Sequence, residues 1–139
     1  ILQYATKIKD KSKDEFNKFL SNYFKFGLLT TLITAIITCF FSDFIIEIFA
    51  DEKIDYSSEI LSLLSFIPFL AMLNFKNVVY MLVNDLKSKL NKATFYTLLL
   101  FLINSLILTN IYGGYGLAYS LLLTEIFSFL IHYFLINRK

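Results

Sequence analysis

Glu125 and His132 are the residues of this chain whose types and spacing could do chemistry. Glu125 stands near the middle of an apolar run, 116–136, and His132 follows seven residues later on the same helical face, with Leu121 and Ser128 completing the stripe. A carboxylate at that depth in a bilayer costs on the order of 2.5–3.5 kcal/mol, so it must face protein or a watery cavity. Two readings stay open. One is a proton- or cation-responsive site in a transport cavity. The other is a carboxyl group hydrogen-bonded to a neighbouring helix. His132 lies closer to the end of the run, where water is expected to reach it.

A second apolar run, 60–83, contributes Lys76, with Asn74, Asn77 and Asn84 recurring at helical spacing. The Lys76 stem can snorkel to the headgroups, or its ammonium can meet an anionic substrate group. The asparagines can line a polar path or bond to neighbouring helices. Pro68 is expected to kink this helix, which is tolerable where neighbours satisfy the freed carbonyl. In the first run, Gly27, Thr31, Thr34 and Thr38 form a small-residue face suited to close helix packing, and Asn104 in the third run reads as an interhelical hydrogen bond. Cys39 is a packing residue. The candidate cavity or coupling residues are therefore Glu125, His132, Lys76, Asn77 and Asn74. No phosphate-cradling glycine loop, metal-ligand cluster or nucleophile–base pair occurs, so no catalytic, cofactor-binding or metal-ligating residue is assigned.

The elements that must position these residues are set by hydropathy. Hydrophobic residues make up 57% of the 139 and charged residues 17%, a balance that excludes an ordinary soluble domain. About 20 apolar residues are needed to cross a bilayer as a helix. The chain divides accordingly into a leader, 1–23, and four spans, 24–42, 60–83, 93–111 and 116–136. Connections 43–59, 84–92 and 112–115 and a tail, 137–139, separate them. The fold class is an all-α integral membrane protein of four transmembrane helices preceded by a cytoplasmic amphipathic helix.

Charge sets the orientation. Lys7, Lys9, Lys11, Lys13, Lys18 and Lys25 precede the first span, and Lys87, Lys89 and Lys92 follow the second. Arg138 and Lys139 end the chain, whereas Asp51, Glu52, Asp55 and Glu59 make the 50–59 loop acidic. Basic loops stay in the cytoplasm, so both termini are expected there, with 50–59 and 112–115 outside. Tyr23, Tyr80, Tyr96 and Tyr133 near one end of the spans, and Tyr56, Tyr112, Tyr115 and Tyr119 near the other, form an aromatic belt. Ser12-Lys13-Asp14-Glu15 reads as a capping box. Phe16, Phe19, Leu20, Tyr23 and Phe24 then give an amphipathic helix at the inner interface that runs into the first span. Interleaved acids in the leader argue against nucleic acid as a partner.

The order of features from Asp43 to Lys139 resembles the C-terminal region of bacterial polysaccharide flippases, in the multidrug/oligosaccharidyl-lipid/polysaccharide exporter superfamily. The residues that carry the resemblance begin with Ile45-Ile46-Glu47-Ile48-Phe49, then Tyr56-Ser57-Ser58 and Ile60-Leu61-Ser62-Leu63-Leu64-Ser65. A second stretch is Asn110-Ile111-Tyr112-Gly113-Gly114-Tyr115-Gly116-Leu117-Ala118-Tyr119-Ser120, continuing to Thr124-Glu125, and the basic link Asp85-Leu86-Lys87-Ser88-Lys89 also fits. Asn110 stands where the family often has Pro, Leu117 replaces a small residue, and Ala50-Asp51-Glu52 replaces a Phe-Gly pair.

The resemblance implies the last third of an exporter of twelve or more helices, and a chain starting at Ile1 agrees with that expectation. It implies translocation of an undecaprenyl-diphosphate-linked oligosaccharide across the bacterial inner membrane, for O-antigen, lipopolysaccharide or another surface polymer. The implied partners are that glycolipid, membrane lipid and the glycan polymerase machinery, with no cofactor and no covalent chemistry. A drug exporter of the same superfamily, a four-helix accessory subunit and a membrane glycosyltransferase or polymerase are the alternatives.

Overall fold

In a computed structural model, residues 2–137 form seven helices: α1 (Leu2–Lys11), α2 (Lys13–Phe40), α3 (Ser42–Ala50), α4 (Asp55–Leu64), α5 (Ile67–Val83), α6 (Lys87–Tyr112) and α7 (Gly114–Asn137). Four stretches are long and apolar enough to cross a membrane: Lys13–Phe40, Asp55–Val83, Lys87–Tyr112 and Gly114–Asn137. The chain is an all-α membrane protein.

The leader divides at Ser12, whose extended backbone (φ −158°, ψ 126°) starts α2. Its hydroxyl accepts from the Glu15 amide at 3.4 Å, the first half of the capping box. The reciprocal half is replaced, because the Ser12 amide donates to the Ile8 carbonyl at 2.9 Å and so ties α1 to α2. The apolar side of this region is turned into protein. Ala5, Phe16 and Leu20 are buried against Val79 and Val83 of α5, with Ile8, Phe19, Phe75 and Tyr80 around them. Lys9 donates from Nζ to the Val83 carbonyl at 2.7 Å, placing a cation at the negative end of α5.

Helix ends follow local chemistry. Asp51 and Asp85 both take the left-handed conformation (φ 55° and 56°), which Asp tolerates better than most residues. At Asp85 the Leu86 amide reaches back to the Met81 carbonyl at 2.8 Å, the six-to-one bond of a Schellman ending. The span containing Pro68 is broken rather than bent. α4 stops at Leu64 and α5 restarts at Ile67, with Pro68 in its first turn, where the missing N–H costs nothing. The Ser65 hydroxyl donates to the Ser62 carbonyl at 2.7 Å beside the break.

α6 and α7 form the tightest pair. Gly113 (φ 60°, ψ −134°) ends α6, and at Gly116 the backbones are so close that a β-carbon would overlap the Leu108 carbonyl. From there Gly116, Ser120, Thr124, Ser128 and His132 are all buried, one residue in every four along the length of α7. Small residues on such a ridge let a partner helix approach closely in a bilayer. A comparable seam runs on α2, but Ala35 is buried where Thr34 was expected, and Thr34 is exposed. Gly27 meets Met72 of α5. The exposed Thr30 and Thr34 hydroxyls bond back to the Phe26 and Thr30 carbonyls, both at 2.9 Å.

The spans stand in an open row. α2 packs on α4 and α5, α5 on α7, and α7 on α6. Phe26, Leu29, Ile33 and Phe40 of α2 and Leu98, Leu102 and Leu106 of α6 are exposed, an apolar surface suited to hydrocarbon or to further membrane helices. At the acidic end of the row, the Tyr56 hydroxyl accepts from the Gly114 amide at 2.9 Å. The Tyr56 and Tyr115 rings meet edge-on with centroids 4.9 Å apart, and Tyr115 donates to the Glu59 carboxylate. Tyr112 and Tyr119 meet similarly at 6.3 Å. Tyr56 and Tyr115 clamp the start of α4 to the α6–α7 turn, and Tyr112 and Tyr119 join α6 to α7 beside it.

Candidate functional site

A groove of about 670 Å³ opens between α5, α6 and α7. Its walls come from the middle of α5 and α7 and the first half of α6, and each wall follows from helical spacing. α7 supplies Leu121, Glu125, Ser128 and His132, the stripe recognised in the sequence, together with Thr124. α5 supplies Ala71, Asn74, Phe75 and Val78. α6 supplies Asn91, Thr94, Thr97 and Phe101.

Glu125 is fixed from across the groove. Asn74 donates from Nδ2 to the Glu125 backbone carbonyl at 3.1 Å and to its Oε2 at 2.7 Å. One carboxamide therefore spans two helices and sets the carboxyl group in place. Farther along α7, the His132 ring is buried, with Nδ1 2.7 Å from the Ser128 carbonyl and 3.3 Å from its hydroxyl. The expectation of a water-exposed histidine is thus corrected: α7 turns His132 inward because it continues the four-residue seam.

Three buried polar atoms of the groove have no partner among the described residues: Asn74 Oδ1, Thr97 Oγ1 and Thr124 Oγ1. Buried polar atoms normally have partners, so this cluster suits bound water or a hydroxylated ligand. The groove combines acceptors, hydroxyls and one carboxyl group with the apolar Phe75, Phe101 and Leu121.

Of the five residues singled out in the sequence, the fold brings together Glu125, Asn74 and His132. Lys76 and Asn77 lie outside the groove. Lys76 is exposed, with Nζ 5.6 Å from the centre of the Phe24 ring on α2, a cation–π contact rather than a groove contact. Asn77 is half-buried, and its Nδ2 has no partner among the described residues. Asn84 bonds locally to the Tyr80 carbonyl at 2.8 Å. The α6 wall was missed, although Asn91, Thr94 and Thr97 recur every three residues at the start of an apolar run. Among the described residues no group of three His, Cys, Asp or Glu side chains could hold a metal ion.

Residues 6–139 match the family model described as polysaccharide biosynthesis protein. The chain belongs to that family. No curated protein and no solved structure matches it. Family membership joins the membrane architecture to glycan assembly.

Proposed function

We propose that this chain is the C-terminal, four-span part of a flippase that moves an undecaprenyl-diphosphate-linked oligosaccharide across the bacterial inner membrane. Its products feed O-antigen or another surface polysaccharide. Both termini face the cytoplasm, by the distribution of lysines. The observation that carries this reading is the groove, a furrow of hydroxyls, carboxamides and one carboxyl group on helices otherwise apolar, in a member of a polysaccharide biosynthesis family.

The physical task is to carry a sugar headgroup through hydrocarbon without breaking a bond. Sugar hydroxyls need hydrogen-bonding partners at every depth, because each unsatisfied polar group costs several kcal/mol in lipid, on the order of 4–8 in a fully apolar medium. Thr97, Thr124 and Asn74 offer such partners, while the polyprenyl tail stays in the bilayer beside the apolar faces. Rocking of this row against a second helix bundle would alternate access. Glu125, held by Asn74, is the group able to couple a proton or cation to that motion.

The test is genetic complementation. In a strain lacking the complete gene, lipid-linked repeat units should accumulate on the inner leaflet and surface glycan should disappear; the full-length gene should restore both. Restoration of drug resistance without surface glycan would instead assign the chain to a drug exporter. Restoration by the 139 residues alone would reject the partial-protein reading.

A further inference from the structure

A second recess, of about 620 Å³, lies between the first turns of α6 and the last turns of α7, at the basic end. α6 contributes Lys89, Lys92 and Tyr96, and α7 contributes Leu130, Ile131 and Phe134. At 3.6 residues per turn, Lys89, Lys92 and Tyr96 share one face of α6, opposite the face that carries Asn91, Thr94 and Thr97. The recess therefore looks away from the groove, into the surroundings of the bundle.

We infer that this recess binds the phosphate headgroup of an anionic bilayer phospholipid. Two lysines one turn apart provide the charge. No side chain caps the start of α6, so the partial positive charge of the helix N-terminus adds to theirs. Asp85, the carboxylate of the preceding link, is engaged with Lys87 at 3.1 Å, and no ion pair involves Lys92 among the described residues. Tyr96 stands one turn deeper, and its exposed ring suits the headgroup boundary. Deeper on the same face of α6, Leu99 and Ile103 are exposed and form an apolar wall on which the first acyl carbons lie, while Leu130 and Phe134 of α7, also exposed, flank the recess at the level of the lysines and Tyr96. Polar charge above, an amphipathic ring at the boundary and hydrocarbon contact below reproduce the layering of a phospholipid. A basic pocket between membrane helices is a known form of headgroup recognition.

Native mass spectrometry of the purified chain in a neutral detergent tests this, with dioleoylphosphatidylglycerol and dioleoylphosphatidylcholine as probes. The phosphatidylglycerol should bind about 25-fold more tightly, since each of the two lysines is worth about fivefold for an anionic lipid. The Lys89→Ala/Lys92→Ala pair should lose about 25-fold of that affinity, and Lys89→Arg/Lys92→Arg should retain it. Lys18→Ala/Lys25→Ala removes the same charge from α2 and should leave binding unchanged. If the alanine pair does not fold, judged by circular dichroism, Lys92→Gln alone should still lower the affinity about fivefold. Equal affinity for the two lipids, or an equal loss in the α2 pair, would overturn the assignment. Displacement by excess inorganic phosphate would make it a simple anion site. Tighter binding of a polyprenyl diphosphate than of phosphatidylglycerol would give the recess to the transported lipid instead.

Discussion

Asn74 on α5 holds both the backbone carbonyl and the carboxyl group of Glu125 on α7, at 3.1 and 2.7 Å. The two residues lie 51 positions apart in the chain, and their bond joins the two central helices of the row. Asn74→Leu should therefore destabilise the bundle by about 1–3 kcal/mol, because it leaves a half-buried carboxyl group without its donor. Removing both partners, Asn74→Leu/Glu125→Leu, should recover part of that loss. Thermal unfolding in detergent of the two single variants and the pair measures the coupling; strictly additive losses would dissolve it.

Glu125→Gln keeps size and hydrogen bonding but removes the ability to ionise. Protein abundance in the full-length background should stay near normal while surface glycan falls sharply, and Glu125→Asp should be milder than Glu125→Ala. Full export by the Gln variant at normal abundance would leave Glu125 a purely structural role.

The α6–α7 hairpin makes a steric prediction. Gly116→Ala drives a methyl group into the Leu108 backbone, which cannot rotate away. We expect a loss of about 3 kcal/mol, the upper range for overpacking, seen as loss of folded monomer in size-exclusion chromatography. Gly113→Ala meets no such contact and should cost about 1–3 kcal/mol, through its positive φ alone. Leu117→Ala, at the exposed position next to Gly116, should be nearly neutral.

Orientation is checked by labelling. Cysteines placed one at a time at Glu52 and Ser88, both exposed, in a Cys39→Ser background should react differently with an impermeant thiol reagent added to intact cells. Glu52→Cys should label from outside and Ser88→Cys only after permeabilisation. The reverse pattern would invert the topology.

Much of this fold is legible in the sequence because lipid imposes few solutions. Hydropathy marks the four spans, Ser12 marks the start of α2, and the Leu121–Glu125–Ser128–His132 stripe follows from spacing alone. Which stripe meets which neighbour is not local information. The Asn74 carboxamide could have turned toward any adjacent helix, and only packing of α5 on α7 gives it Glu125. Lys76 differs from Asn74 by two positions, enough to rotate it to the far side of α5. Thr34 and Ala35 exchange roles on α2 because a four-residue ridge, Gly27–Thr31–Ala35, packs better than the mixed three- and four-residue spacing. The α6 wall escaped notice because threonines in an apolar run usually satisfy themselves, as Thr94 does on the Leu90 carbonyl at 3.0 Å.

The most direct test of the groove as a glycolipid path is a flipping assay on the full-length protein in vesicles. The readout is the rate at which an undecaprenyl-diphosphate oligosaccharide added to one leaflet becomes accessible from the other. Thr94→Trp fills the groove from an exposed position on its wall and should leave folding intact. The account predicts rapid flipping by the wild-type protein and loss of at least nine-tenths of the rate, ~10-fold or about 1.4 kcal/mol in the barrier, for Thr94→Trp at equal reconstitution. Equal rates for the two proteins would contradict it.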